Sequence, residues 1–158
     1  MRTYTPDIEI YTEGDELYQA MLDDIAGAES TVRFESYIFA DDEVGARFFT
    51  KLAERAQAGR QITMRLDSAG SWGITRIRVR ALRAAGVVWR WSRPWSWVAP
   101  WAFHRRNHRK LMIVDDRVAY LGGFNIHREC SISVFGETRW RDTHVRITGD
   151  LVPLAAAL

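Results

Sequence analysis

The sequence predicts an α/β/α sandwich around a mixed central sheet, and three observations predict it. Short β-branched and aromatic runs alternate with segments of helical period along the chain. Two strand-like runs, 110–114 and 117–121, flank Asp115-Asp116 at hairpin spacing, which brings antiparallel neighbours into the sheet. The 158 residues, 47% of them apolar, suit one compact domain over 1–158 with a real core.

Taken in order, residues 8–11 alternate apolar and acidic side chains as a strand does. Residues 15–28 repeat Leu17, Ala20, Met21, Leu22 and Ile25 at helical spacing, and 31–39 form a β-branched, aromatic strand. Asp41 and Asp42 offer N-caps for a helix that carries Val44, Phe48, Phe49 and Leu52 on one face and stops at Gly59. A strand over 61–66 leads through Asp67-Ser-Ala-Gly-Ser71 to a basic helix over 74–85, ended by Gly86. A strand over 87–91, a long Trp/Arg-rich loop over 91–107, the hairpin, a strand over 140–148 and a helix from Asp150 complete the chain. That last run, rich in Ala and Leu, reads as a helix cut short. A loop as long as 91–107 exceeds ordinary connections and points to function or mobility.

The net charge of +2 conceals a segregation. Residues 1–67 hold 14 acidic and 7 basic side chains, whereas 68–114 hold 10 basic and no acidic ones. Such a run is either a solvated Arg surface or a face for an anion: phosphate, lipid headgroup or nucleic acid. Cys130 is the single cysteine, so neither a disulfide framework nor a cysteine metal site is expected, and a reducing, cytoplasmic setting is the simplest reading. No segment approaches the roughly 20 apolar residues of a membrane span, and 1–10 lack the pattern of a secretory leader.

Chemistry concentrates in His108-Arg-Lys-Leu-Met-Ile-Val-Asp-Asp-Arg-Val-Ala-Tyr-Leu-Gly-Gly-Phe-Asn125. His108 and Lys110, two apart on a strand, point to one face. Gly122 and Gly123 let the backbone come close and set Asn125 beside that face. An imidazole, an ammonium and an amide donor then converge, which suits phosphate: His108 can attack phosphorus while Lys110 and Asn125 donate to non-bridging oxygens. Lys is rare here, with 20 of 22 basic residues being Arg, so the Lys beside His108 reads as a chosen point charge. Lys51 shows that Lys also occurs elsewhere.

His108-x-Lys110-x4-Asp115 followed by Gly-Gly-x-Asn125 resembles the HKD motif of the phospholipase D superfamily. Phe34-Glu-Ser-Tyr-Ile-Phe39, Asp67-Ser-Ala-Gly-Ser71 and Trp140-Arg-Asp-Thr-His-Val-Arg-Ile147 further resemble the amino-terminal half of bacterial cardiolipin synthases, over about residues 5–155. The resemblance implies a phospholipase D-like sandwich and a covalent phosphohistidine on His108. It also implies a second histidine, from a second motif, that protonates the leaving alcohol, and no cofactor or metal. Asp142 matches the carboxylate that orients the catalytic imidazole, and period two sets it on one face with His144 and Arg146. Asp115 is expected to serve the hairpin turn. Glu35, matching a site glutamate, is expected either near the active site or in a core ion pair. His144 is expected either to line the pocket or to be a satisfied core histidine. Arg109 and Gly123 are expected to border the substrate, and His104 and His127 to be loop residues.

This chain holds one such motif where the chemistry needs two. The second is expected from a missing carboxy-terminal half or from a homodimer mate. Trp95, Trp97 and Trp101, in the loop before His108, combine interfacial side chains with neighbouring Arg and are expected to dock an anionic, phosphatidylglycerol-like membrane, or else to pack on the missing half or a dimer mate. The expected function is phosphatidyl transfer at the cytoplasmic face of the inner membrane. The alternatives are a metal-independent nuclease acting as a homodimer and a half-domain that binds lipid or a partner without turnover.

Overall fold

The computed structural model describes residues 7–92 and 108–157. The loop that carries Trp95, Trp97, Trp101 and His104 lies outside the described residues, and so does the reading made of it. Strands β1 (Asp7–Tyr11), β2 (Thr31–Ser36), β3 (Gln61–Asp67), β4 (Val88–Ser92), β5 (Leu111–Val114), β6 (Val118–Gly122) and β7 (His144–Thr148) form one sheet in the order β1-β7-β6-β5-β2-β3-β4. β2, β3 and β4 pair in parallel, and every other neighbouring pair is antiparallel. The sheet is mixed because helices join the parallel strands, whereas the β5–β6 hairpin turns back at once.

Helices α1 (Gly14–Gly27), α2 (Glu43–Gln57) and α3 (Arg76–Ala84) cover one face. Their apolar stripes meet inward β2, β3 and β5 residues in a core around Leu17, Tyr18, Phe34, Phe48, Met64 and Met112. The opposite face is covered in part, by α5 (Val152–Ala156), whose Val152 and Ala155 pack on Leu111, Ile113 and Ala119. Over β2–β4 that face is a groove lined by Arg33, Glu35, Thr63, Arg65 and Arg90.

Local chemistry sets the element ends. Asp42 caps α2 by accepting from Gly45 N at 2.9 Å, and its other oxygen takes Arg128 N at 2.7 Å. Thr75 caps α3, so that helix begins two residues later than its periodicity suggests. The β5–β6 turn closes through Arg117 N to Val114 O at 3.0 Å, with Asp115 and Asp116 both at φ +53°, the left-handed geometry of tight hairpins.

Three sequence expectations need correction. β2 ends at Ser36, not 39, because the chain turns where Asn125 takes the Ile38 N–H; Phe39 makes an isolated bridge to Ile126. β7 begins at His144, leaving 140–143 outside the sheet, since β6 ends at Gly122 and offers no further partner. His127 is no ordinary loop residue: it is 5% exposed, against Cys130 Sγ at 3.3 Å and edge-on to Trp140. A 3₁₀ turn at Arg128–Cys130 and the short helix α4 (Ile132–Phe135) fill the stretch between β6 and β7.

Candidate active site

The site lies where β2, β5, β6 and β7 end together. Gly122 pairs with His144, and Lys110 stands one residue beyond the Leu111–Leu121 pair, so Lys110 and His144 flank Gly122. Side chains across a row share a face, so both look to the α1 side. Gly122 leaves room between them: a Cβ there would meet Thr143 O and come 2.5 Å from His144 Cα. Gly123 donates to Thr143 O at 2.8 Å and carries the Asp142 carboxylate directly over its bare Cα. Asp142 also takes the Thr143 N–H at 2.7 Å. It acts electrostatically on both Lys110 and His144.

His108 is exposed at the lead-in to β5. Its ring stacks on Tyr37 with centroids 4.0 Å apart and planes at 23°. Lys110 Nζ donates to His108 O at 3.0 Å and stands 5.8 Å from the Tyr37 ring centroid. Burial lowers the Lys110 ammonium's pKa, with Asp142 opposing the shift. Asn125 is locked in orientation: its Oδ1 accepts from Ile38 N at 3.1 Å, and its carbonyl accepts from Tyr18 OH at 2.6 Å. With the amide oxygen engaged, the NH₂ is the group Asn125 offers to an anion.

The structure thus gathers His108, Lys110, Asn125, Gly123, Asp142 and His144 at one end of the sheet. No hydrogen bond joins Asp142 to His108 among the described residues. Glu35 borders the same small cavity as Lys110 and His144, but its carboxylate is not gathered with them. It pairs in register with Leu111, so its side chain lies on the opposite face, 3.6 Å from Arg65. Arg109 is exposed beside His108. Asp115 serves a larger role than its own turn: its carboxylate accepts Glu29 N, Ser30 N and Thr31 N at 2.7 to 2.8 Å, tying the α1–β2 connection to the hairpin. Burial pushes that carboxyl up, but the three backbone donors outweigh it and hold it below the ordinary aspartate value. Tyr37 is the site residue that sequence reasoning passed over; its aromatic ring just past β2 was the available signal.

His144 is 3% exposed and its Nδ1 has no partner. It lines a cavity of about 10 Å³ with Lys110, Ser36 and Phe124, room for about one water. Burial pushes its imidazole down to about 4, with Asp142 opposing and Lys110 reinforcing the shift. An unfolded histidine takes a proton near pH 6.5, while folded His144 refuses it until about 4. Stability from this group is therefore complete above pH 6.5 and falls by about 3 kcal/mol as pH drops toward 4. Urea titrations across that window should show the slope, and His144→Gln should flatten it; an unchanged slope would clear His144.

An exposed imidazole, an ammonium and an oriented amide thus stand together at the end of a mixed α/β sheet. The family described as "Cardiolipin synthase, PLD-like domain" matches residues 21–138. The chain is 36% identical over 150 residues to the cardiolipin synthase of Clostridium perfringens, covering 93% of this chain and 31% of that protein. It is 32% identical over 151 residues to a cardiolipin synthase of Staphylococcus aureus, covering 92% of this chain and 30% of that one. In fold it is similar to Nuc, a phospholipase D family member from Salmonella typhimurium, with a TM-score of 0.70 and 18% identity over 97% of this chain and 89% of that chain. The chain belongs to the cardiolipin synthase, phospholipase D-like domain family. It spans less than a third of the length of the curated relatives it matches. No helix among the described residues is long and apolar enough to cross a membrane.

Proposed function

We propose that this domain supplies one half of a phosphatidyl-transfer site, with His108 as the nucleophile. The observation that carries the reading is His108 stacked on Tyr37 beside Lys110, its ring exposed to an incoming phosphodiester. The His108 imidazole forms an N–P bond as the P–O bond to the leaving glycerol breaks. A histidine of a second motif gives that oxygen a proton. The hydroxyl of a second phosphatidylglycerol then attacks phosphorus, the N–P bond breaks, and the second histidine recovers its proton. Lys110 and the Asn125 NH₂ donate to the non-bridging oxygens as charge builds there. Asp142 supports the Lys110 ammonium from beside Gly123. The second motif comes from a carboxy-terminal half or from a second copy, and the domain works as a peripheral protein on anionic phospholipid.

A second reading, nucleic-acid hydrolysis by a homodimer, draws on one observation: Nuc is almost coextensive with this chain. Both are tested by one experiment. The chain, sized by light scattering against its 18.2 kDa monomer, is incubated with phosphatidylglycerol vesicles and, separately, with a DNA oligonucleotide. The assembled site should release glycerol and form a diphosphatidyl product with four acyl chains. Cleaved oligonucleotide with intact lipid would replace the transfer reading with the nuclease one. Lipid binding by a monomer without turnover would mean that the domain is inert until its second motif is supplied.

A further inference from the structure

The two most exposed large apolar side chains among the described residues are Trp72, at 85%, and Ile77, at 78%. They fall on one loop–helix unit. β3 ends at Asp67, and the connection to α3 folds back on Tyr37: Ser71 Oγ donates to Tyr37 O at 3.1 Å and accepts from Phe39 N at 3.0 Å. Gly70 lies so close that a Cβ would strike Tyr37 O. The connection thus packs on the residue whose ring carries His108, and Trp72 follows directly. Ile74, Val79 and Leu82 face inward and hold the unit to the core, so Trp72 and Ile77 are not needed there. Arg76, Arg80 and Arg83 share the exposed side of α3, with no ion pair among the described residues, while Arg78 is turned aside to Asp41 at 2.9 Å. Neither α3 nor the connection after Asp67 contains an acid.

We infer that Trp72, Ile77 and the outer arginines of α3 form a docking surface for an anionic phospholipid bilayer, seating the His108 edge on the membrane. The inference rests on the phosphatidyl-transfer reading for its substrate class. Charge complementarity selects the occupant. Two apolar tips amid three arginines, on elements without an acid, match an acyl boundary beneath negative headgroups. Trp72 and Ile77 enter that boundary, and Arg76, Arg80 and Arg83 meet phosphates beside the reacting one.

The test is sedimentation of the full chain with vesicles of phosphatidylglycerol in phosphatidylcholine, and of phosphatidylcholine alone. All proteins carry His108→Ala so that turnover does not enter. Arg76→Gln/Arg80→Gln/Arg83→Gln should weaken binding to the anionic vesicles on the order of 100-fold at low salt. Trp72→Ala/Ile77→Ala should weaken it about tenfold, with the loss persisting at high salt. All five residues are exposed, so the variants keep the core. Vesicle binding equal to the parent's in either variant overturns the inference. So does intact vesicle binding with lost oligonucleotide retention, or with a changed solution mass, which assigns the surface to nucleic acid or to a second copy. Turnover that survives His108→Ala would instead sink the transfer reading and leave the vesicle result standing.

Discussion

His108→Ala should lower phosphodiester turnover by at least about 10⁴-fold on the assembled site while leaving the unfolding midpoint nearly unchanged. The two halves of that expectation have separate causes. The imidazole is the group proposed to bond phosphorus, and neither described neighbour replaces it: His144 is buried, and Lys110 has its ammonium on the His108 carbonyl. The ring itself is exposed and loses one stacking contact with Tyr37, worth about 0.5–1.5 kcal/mol at most. Steady-state release of glycerol from phosphatidylglycerol, read beside a urea unfolding curve, checks both. More than about one percent of residual turnover would remove His108 as the nucleophile.

Gly122→Ala and Gly123→Ala should part company. At Gly122 the new methyl meets backbone, the Thr143 carbonyl and His144 Cα, which sits in a paired β7 strand. Backbone held on both sides cannot yield cheaply, so the cost should be about 3 kcal/mol, read as a lower urea midpoint. At Gly123 the methyl overlaps the Asp142 carboxylate, which is exposed and can swing toward water. The cost there should stay under about 1.5 kcal/mol. Turnover should fall instead, on the order of 10²-fold, because the carboxylate leaves the Lys110–His144 pair it supports. Equal stability losses in the two variants would contradict this division between fold and chemistry.

Part of the candidate site could be read from spacing. His108-x-Lys110 was expected on a strand, yet β5 begins at Leu111 and both residues precede it; the glycine pair does let the backbone approach closely, but on Thr143, His144 and Asp142. Asp42 read as a helix cap because a carboxylate before an apolar helical period has a local partner, the N–H of Gly45. That inference worked because it depends on residues a few positions apart. Asp142 was placed on a strand by its β-like neighbours, yet a strand lasts only as long as its partner, and β6 stops at Gly122.

What the sequence by itself determined is the alternation of elements, the candidate set of His108, Lys110 and Asn125, and the acid-free middle third. All three are written in local period, local spacing or composition. The tertiary structure alone decided that Glu35 faces Arg65 across the sheet from the site. Alternation separates it from Phe34, but the 35–111 register says which face meets Lys110. It alone put Tyr37 under His108, tied Asp115 to the N–H groups of Glu29, Ser30 and Thr31, and left Trp72 and Ile77 in solvent beside the site. These are contacts or exposures set by parts of the chain about 30 to 90 residues apart. Long-range pairing is selected by the packing of the whole core, and no short window of residues carries it.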